Sequence, residues 1–417
     1  MLSNATLLCG NNSSLGSVIG TLFPRRPKHR IVLSMAILCL MSLVICLTLI
    51  TYAQSTRVLL VSRTTTVQQS TATPVASTVT TPASPLQSAM NVAKALVRID
   101  QSVPGSYASE QDYSTWWPSA CSAASMTEII NASFHTHYTI STILAIEAAF
   151  QNPTVITADS GLLYPNGIDR TMGYFGFVTT HQHYTLDQLI TTANAGTPVL
   201  VNFPPVTWSG GHFLVVVGGD TQYVHLADSS KLNMRSMTRA RFEFYWQGFA
   251  DTFTPTPYSV MGKPTVTAAF IDHVLAYYHS PAQGQGQYLY DLALKYSIDP
   301  AFALSFFGHE STFGTQGEAN KSLSLGNLRC ISTGYEDLQP SCQDKYAWFP
   351  TWKSGFEAFY RLMAGSLYAA SGLVVPDQII PRYAPNSDNN NEAGYISALK
   401  KTIERARAGD VDIENFH

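Results

Sequence analysis

The segment Asp299-Pro-Ala-Phe-Ala-Leu-Ser-Phe-Phe-Gly-His-Glu310-Ser311 places one acidic residue at the end of an otherwise apolar stretch. Asp299 is a favourable N-cap and Pro300 suits the first helical position, so the pattern predicts a helix from about Pro300 to Glu310. Apolar side chains cover most of its circumference, which indicates a largely buried helix. Burial and the negative end of the helix dipole both raise the pKa of a carboxyl, which is what a general acid requires. The alternative is a structural, capped or salt-bridged Glu310.

Further motifs follow this segment in a fixed order. They are His309-Glu-Ser-Thr-Phe-Gly-Thr315, Leu325-Gly-Asn-Leu328, Phe349-Pro-Thr-Trp-Lys-Ser-Gly-Phe-Glu-Ala-Phe359 and Tyr383-Ala-Pro-Asn-Ser-Asp-Asn-Asn-Asn391. This order resembles the glucosaminidase branch of the lysozyme-like superfamily.

The resemblance implies a mainly helical domain that cleaves peptidoglycan glycan strands beside N-acetylglucosamine. It implies Glu310 as the catalytic acid, Tyr383 as a supporting active-site residue, and Asn327 and Asn389 as glycan contacts. A second catalytic carboxylate is not assigned. Glu336 and Asp337 lie in a polar loop that could close over the cleft, although a solvated turn is the favoured reading, so retention or inversion stays open.

Composition limits the classes of function. The chain has 417 residues, 45% hydrophobic and 13% charged, with a net charge of −3. This length allows two globular domains, and the charge balance carries no signature of nucleic-acid binding. No P-loop or dinucleotide fingerprint is present, so no cofactor is predicted. His135, His137, His181 and His183 could offer imidazoles to a metal, but no accompanying motif supports a metal site.

An uncharged run from Ile31 to Ala53 is long enough to cross a bilayer as a helix. Four basic residues lie directly before this run and two follow closely: Arg25, Arg26, Lys28 and Arg30, then Arg57 and Arg63. The positive-inside rule therefore predicts a single-pass protein of the cell membrane, with residues 1–30 in the cytoplasm and the rest outside. Residues 54–90 are rich in Ser, Thr and Pro and are predicted to be a stalk. Cleavage after Ala53 would instead give a secreted protein.

The cysteines fit this topology. Three of the six, Cys121, Cys330 and Cys342, fall on the predicted outer side. Cys330 and Cys342 flank one loop and are the natural disulfide pair, worth about 3 kcal/mol. Cys121 is then left without an outer partner, which suggests a reactive thiol or an intermolecular bridge.

The surroundings of Cys121 favour a nucleophile. The sequence changes from the aromatic Trp116-Trp117 loop to a small-residue helical pattern at Cys121, and a helix N-terminus lowers the pKa of a thiol. A later β-hairpin, with strands near 213–217 and 223–227, carries His212 and Asp228 at its open end. If the hairpin is centred on Asp220, these two residues face each other, on a buried face against which the Cys121 helix would pack.

The order Cys121, His212, Asp228 resembles the peptidase C39-like branch of the papain-like cysteine peptidases. The resemblance implies Cys121 as nucleophile, His212 as base and Asp228 as the orienting third member, with Gln111 the best-placed candidate for the oxyanion site. Cys-Ser-Ala stands here where the family commonly has Cys-Gly-Pro, which puts Gln111 and the oxyanion site in doubt. Taken one at a time, each residue also has a non-catalytic interpretation. Cys121 would be a buried inert cysteine, His212 a core histidine and Asp228 a turn residue. Trp208 is expected either to form a cleft wall or to pack.

The predicted fold class is an α+β papain-like domain plus a mainly α lysozyme-like domain, preceded by one transmembrane helix. The C39-like domain occupies residues 91–255, a linker 256–267, and the glucosaminidase-like domain 268–417. The predicted function is a bifunctional wall hydrolase acting on peptidoglycan glycan strands and peptides. The alternatives are a glucosaminidase with a non-catalytic peptide-binding module, and a peptidase that processes secreted peptides.

Overall fold

Residues 91–150, 153–163, 165–331 and 333–414 are described by a computed structural model. The tail 1–30, the Ile31–Ala53 segment and the predicted stalk 54–90 lie outside these residues. Within the described ranges no single helix is long and apolar enough to cross a bilayer, although one pair bent by 110°, Trp352–Ser371 with Pro376–Asp388, meets the criteria of length and composition together.

Residues 91–255 combine helices with an antiparallel sheet. The helices are α1 (Val92–Ala95), α2 (Glu110–Trp116), α3 (Cys121–Phe134), α4 (Ile140–Ala149), α5 (Asn166–Tyr174), α6 (Leu186–Asn194) and α7 (Arg239–Tyr245). The strands are β1 (Ile156–Thr157), β2 (Gly161–Leu162), β3 (Phe177–His183), β4 (Val199–Phe203), β5 (His212–Gly219), β6 (Tyr223–Ala227), β7 (Ser236–Thr238) and β8 (Phe249–Pro255). Six strands form one sheet in the order β3-β8-β4-β5-β6-β7.

The β5–β6 hairpin forms as predicted, but its register differs. Val215 pairs with Ala227 and Val216 with Leu226, and a bulge follows between Val216 and Gly218. The partners predicted from a centre at Asp220 are therefore wrong by two residues before the bulge and by three after it. Because side chains alternate with a period of two, the slip before the bulge keeps the paired side chains there on the faces that were predicted.

Both faces of β5 are buried, and this corrects the predicted packing. Leu214 and Val216 lie in a core that includes Leu189 of α6. Helix α3 lies on the other face, where Phe213 and Val215 are buried with the α3 side chains. The continuous apolar run of β5 is typical of a strand covered on both sides, so the face of the Cys121 helix could not be read from alternation.

Residues 256–414 are mainly helical. The helices are α8 (Ala268–Tyr277), α9 (Gly286–Tyr296), α10 (Pro300–Ser311), α11 (Ala319–Ser322), α12 (Trp352–Ala364), α13 (Pro376–Tyr383) and α14 (Glu392–Arg407), with a hairpin of β9 (Ser341–Gln343) and β10 (Tyr346–Trp348). Helix α10 confirms the predicted bounds. The Asp299 side chain caps it by accepting from the Ala301 N–H at 3.2 Å, and nearly all of its residues are buried.

The two halves share one continuous hydrophobic core. Segment 256–267, predicted as a linker, is packed between them: Val260 and Met261 are buried, and the Val260 N–H donates to the Val374 carbonyl at 2.8 Å. Gly173 of α5 lies against Val374, where an added Cβ would come within 3.0 Å of the valine side chain. The halves therefore pack as a single body in the described part of the chain.

A charged cluster lies near this junction. His181 Nδ1 is 2.6 Å from Asp251 Oδ1, and its Nε2 is 3.0 Å from Asp169 Oδ1. Hydrogen bonds to Asp169 and Asp251 raise the pKa of His181 to about 10, so this imidazole carries a charge at neutral pH. It is held by carboxylates on both sides, and no group suited to a metal ion occurs among the described residues.

Buried Glu147 of α4 predicts a pH-dependent stability. Burial raises its pKa from 4.5 to about 8, so the folded state holds a proton that the unfolded state releases. Stability is therefore lost as pH rises from about 4.5 to about 8. Glu147→Gln removes this titration, and its melting temperature should fall less than that of the wild type between about pH 5 and pH 8. Differential scanning calorimetry measures this, with the exposed Glu243→Gln as control. Parallel pH curves for wild type and Glu147→Gln would contradict the assignment.

Candidate active sites

Cys121 is the first residue of α3, at the end of the helix where backbone N–H groups have no helical acceptor. Its sulfur accepts a hydrogen bond from the N–H of Phe213 at 3.4 Å, which places it beside the start of β5. Only 1% of the residue is exposed. The sulfur is also disulfide-bonded.

His212 and Asp228 meet despite the slipped register. His212 Nε2 lies 2.7 Å from Asp228 Oδ1, which leaves Nδ1 as the ring nitrogen able to take a thiol proton. Asp228 also accepts from the Ser230 N–H and hydroxyl, each at 2.9 Å, and from the Met234 N–H at 2.8 Å. Burial acts to raise the pKa of Asp228, but the His212 contact and these donors bring it below its ordinary value. Asp228 is thus an anion that orients His212.

Trp208 packs on this pair. Its ring stacks on the His212 imidazole with 6.1 Å between centroids, and it also contacts Phe203 and Tyr245. Of the two predicted roles, packing against the histidine is the one that the contacts support.

Gln111, the residue predicted for the oxyanion site, is not buried with Cys121. It sits on the exposed surface of α2, where its amide donates to Thr115 at 3.1 Å. A second glutamine, Gln101, is buried nearby in the chain: its Nε2 donates to the Trp117 carbonyl at 2.9 Å, and its Oε1 accepts from the Ser229 hydroxyl at 2.7 Å. Gln101 therefore joins the loop before Cys121 to the residue after Asp228.

Glu310 lines a second site, a cleft of about 690 Å³ in the helical half. The cleft is bordered by residues from α10, the loop after α11, the β9–β10 hairpin, α13 and α14. Its lining includes Glu310, Asn327, Arg329, Tyr346, Tyr368, Tyr383, Asp388, Asn390, Asn391 and Tyr395. The carboxyl that the sequence singled out is thus in a concave site large enough for sugar rings.

The Glu310 carboxyl is desolvated. Burial raises its pKa, while a hydrogen bond from the Tyr395 hydroxyl and the charge of Arg329 act in the opposite direction. Burial also raises the pKa of Tyr395 well above its usual range, so this phenol remains a donor. Tyr395, on α14, was missed by sequence reasoning because it lies beyond the last recognised motif.

Of the other residues predicted for this cleft, Asn327 and Tyr383 line it and Asn389 does not. Asn327 lines it and donates to the Glu310 carbonyl at 2.6 Å, holding the end of α10. Tyr383 lines it but donates to the Gly326 carbonyl at 2.9 Å rather than to Glu310. Asn389 is not among the lining residues, whereas Asn390 and Asn391 are.

The two loop carboxylates lie elsewhere. Asp337 pairs with Arg361 at 2.8 Å and borders a different cavity, and exposed Glu336 accepts from the Gly334 N–H. Asp388 is the carboxylate that lines the cleft together with Glu310 in the described residues. Cys330 and Cys342 form a disulfide that joins one wall of the cleft to β9.

Residues 105–253 match the Peptidase_C39 like family. This match supports a C39-like peptidase domain with the α+β papain-like fold in this part of the chain. The match does not extend to the Glu310 cleft, and no curated protein matches the chain.

Three solved structures are similar to part of the chain. The peptidase domain of Streptococcus ComA, a bi-functional ABC transporter involved in quorum sensing, is 18% identical, covers 33% of this chain and 93% of its own, and gives a TM-score of 0.28. A double glycine motif protease from an AMS/PCAT transporter, in complex with the leader peptide, is 15% identical. The match covers 33% of this chain and 84% of that chain, with a TM-score of 0.25. A C39-like peptidase from Bacillus anthracis is 16% identical. The match covers 33% of this chain and 88% of that chain, with a TM-score of 0.26.

The Cys121 site predicts a thiol reactivity that depends on His212. After reduction, iodoacetamide should modify Cys121 at least about tenfold more slowly in His212→Ala than in the wild type near pH 6, because the imidazole takes the thiol proton. Peptide mass spectrometry resolves Cys121 from Cys330 and Cys342. The exposed His225→Ala is the matched control. Equal rates for all three proteins would exclude an activated thiol.

Proposed function

We propose that this protein is a cell-wall hydrolase with two catalytic sites, a glycosidase at Glu310 and a cysteine peptidase at Cys121. The observation that supports the glycosidase best is the Glu310 carboxyl, desolvated at the end of a buried helix and facing a cleft of about 690 Å³. The substrate proposed is the glycan strand of peptidoglycan, cleaved beside N-acetylglucosamine.

At the glycan site Glu310 gives its proton to the glycosidic oxygen as the bond to the anomeric carbon breaks. The Tyr395 hydroxyl donates to one carboxyl oxygen and so fixes the orientation of the acid. A water molecule completes hydrolysis at the anomeric carbon. Asp388 is the proposed group that activates this water or stabilises the cationic sugar, since it is the other carboxylate lining the cleft.

At the peptidase site the reaction requires Cys121 as a thiol, so its disulfide must first be reduced by a thiol reductant. The thiolate then attacks the scissile carbonyl, and His212 gives the proton to the leaving amine. Water hydrolyses the resulting thioester. The N–H groups at the start of α3 and the amide of Gln101 are the proposed oxyanion donors.

The predicted topology gives both sites access to the wall. In this proposal the Ile31–Ala53 segment anchors the protein in the cell membrane, and the Ser/Thr/Pro-rich segment 54–90 spaces both sites from it. Tethering raises the effective concentration of the second site once the first has engaged the polymer.

A second candidate function is a glycosidase whose C39-like domain binds peptides without cleaving them. The burial of Cys121 and its disulfide bond favour this alternative, because a nucleophile needs both access and a free sulfur. A third possibility is processing of secreted peptides, with the glycan site only placing the peptidase at the wall.

Fragment masses distinguish these functions. Purified walls are digested with the part of the protein that follows Ala53, after treatment with a thiol reductant. The digestion should release new reducing ends, which Glu310→Gln abolishes. It should also release new amino termini, which both Cys121→Ala and His212→Ala abolish. The exposed Glu336→Gln serves as the control. Reducing ends without new amino termini would support the binding module, and cleavage only of added peptides would support peptide processing. No reducing ends from the wild type would reject the glycosidase.

Tyr395 predicts a shift of the pH profile. Its hydrogen bond lowers the pKa of Glu310, so Tyr395→Phe should raise that pKa further. Since the acid acts only when protonated, the alkaline limb of kcat/KM should move to higher pH while the maximal rate falls. Tyr383→Phe, which loses a bond to Gly326 instead, should leave the limb in place. A limb that is unchanged or moves to lower pH in Tyr395→Phe would contradict this role.

A further inference from the structure

Arg329 is fixed in one wall of the Glu310 cleft. Its backbone bridges to Tyr346 of β10, and its guanidinium lies 4.8 Å from the centroid of the Tyr346 ring. The next residue, Cys330, bonds to Cys342 and donates its N–H to the Lys345 carbonyl at 3.0 Å. The disulfide, the bridge and the ring together hold an exposed cation at a defined place beside the acid.

No carboxylate of the described residues forms an ion pair with Arg329. The two carboxyl groups of the cleft lining have other hydrogen-bond donors, Tyr395 for Glu310 and Ser387 for Asp388. His309 stacks on Tyr395 at 3.8 Å, and burial lowers its pKa, so it adds no cation near neutral pH. The other titratable groups of the lining are the phenols of Tyr346, Tyr368, Tyr383 and Tyr395. Arg329 is therefore the cleft's cation without an anionic partner in the described chain.

When the cleft is empty, the charge of Arg329 opposes the proposed role of Glu310 as a general acid. A positive charge near Glu310 favours the ionised carboxylate, which cannot act as an acid. A ligand that brings its own carboxylate to Arg329 would cancel this effect and leave the proton on Glu310. Anionic substrate would then be both bound and activated by one residue.

We propose that Arg329 binds a carboxylate of the glycan substrate, so that the cleft selects anionic glycan strands over neutral polymers of N-acetylglucosamine. This rests on the proposed glycosidase function. The carboxylate has two possible sources, the lactyl group of the sugar where no peptide is attached, and the peptide where one is.

Initial rates on three substrates test the proposal: a neutral N-acetylglucosamine hexamer, peptide-free glycan strands with free lactyl groups, and peptide-bearing strands. Arg329→Gln should lose about ten- to a hundredfold in kcat/KM on the carboxylate-bearing strands, as expected for a hydrogen bond to a charged group, and none on the hexamer. Arg329→Lys should retain part of the activity. Loss on peptide-free strands would assign the lactyl group, and loss confined to peptide-bearing strands would assign the peptide.

Arg241 provides a matched control, since it is also an exposed arginine over a tyrosine ring, at 5.8 Å from Tyr245, but lies in the peptidase domain. Arg241→Gln should leave all three rates unchanged. Equal loss on neutral and anionic substrates in Arg329→Gln, or no loss, would overturn the proposal.

Binding separates this proposal from the glycosidase itself. Calorimetry compares Glu310→Gln with the double variant Glu310→Gln/Arg329→Gln for each glycan. The double variant should bind the anionic strands more weakly and the hexamer equally well. If the wild type cleaves no glycan but this selective loss of binding is found, the glycosidase fails and the carboxylate site stands. If binding does not depend on Arg329, the site fails whatever the activity.

Discussion

The burial of helix α10 on nearly every side is the constraint on which the helical half depends. Phe302, Phe306 and Phe307 are almost completely enclosed, and Phe306 and Phe307 contact Phe359 of α12. Removing one such ring typically costs about 3–5 kcal/mol, so the helix has little freedom to move. The axis of α10 therefore fixes where Glu310 emerges, and the cleft is built around that point.

The two sites use carboxyl groups in opposite ways. Asp228 is buried but receives four hydrogen bonds, and these outweigh burial and keep it ionised. Glu310 is desolvated with one side-chain donor, so burial dominates and its pKa lies above the ordinary value. The number of donors around each carboxyl decides whether it orients a base or acts as an acid.

Local patterns in the sequence were enough to predict several elements. The cap Asp299, the helix to about Glu310 and the β5–β6 hairpin depend on neighbouring residues. The C39-like character followed from the order of Cys121, His212 and Asp228 along the chain. The relative placement of elements was less accessible. A bulge changed the hairpin register, and the two-sided burial of β5 hid the face that carries α3. Contacts between residues distant in sequence brought Tyr395 to Glu310 and Gln101 to Ser229. These contacts follow from packing, and no short motif encodes them.

The continuous core also bears on how such a protein can be inherited. Proteins with several domains commonly exchange them by recombination within exposed linkers, where few contacts cross the joint. Here a crossover within 256–267 would set Gly173 against a foreign side chain in place of Val374, although the contact leaves little space. Selection would therefore tend to pass on the two halves as one unit, in which substitutions on one side of the junction are compensated on the other.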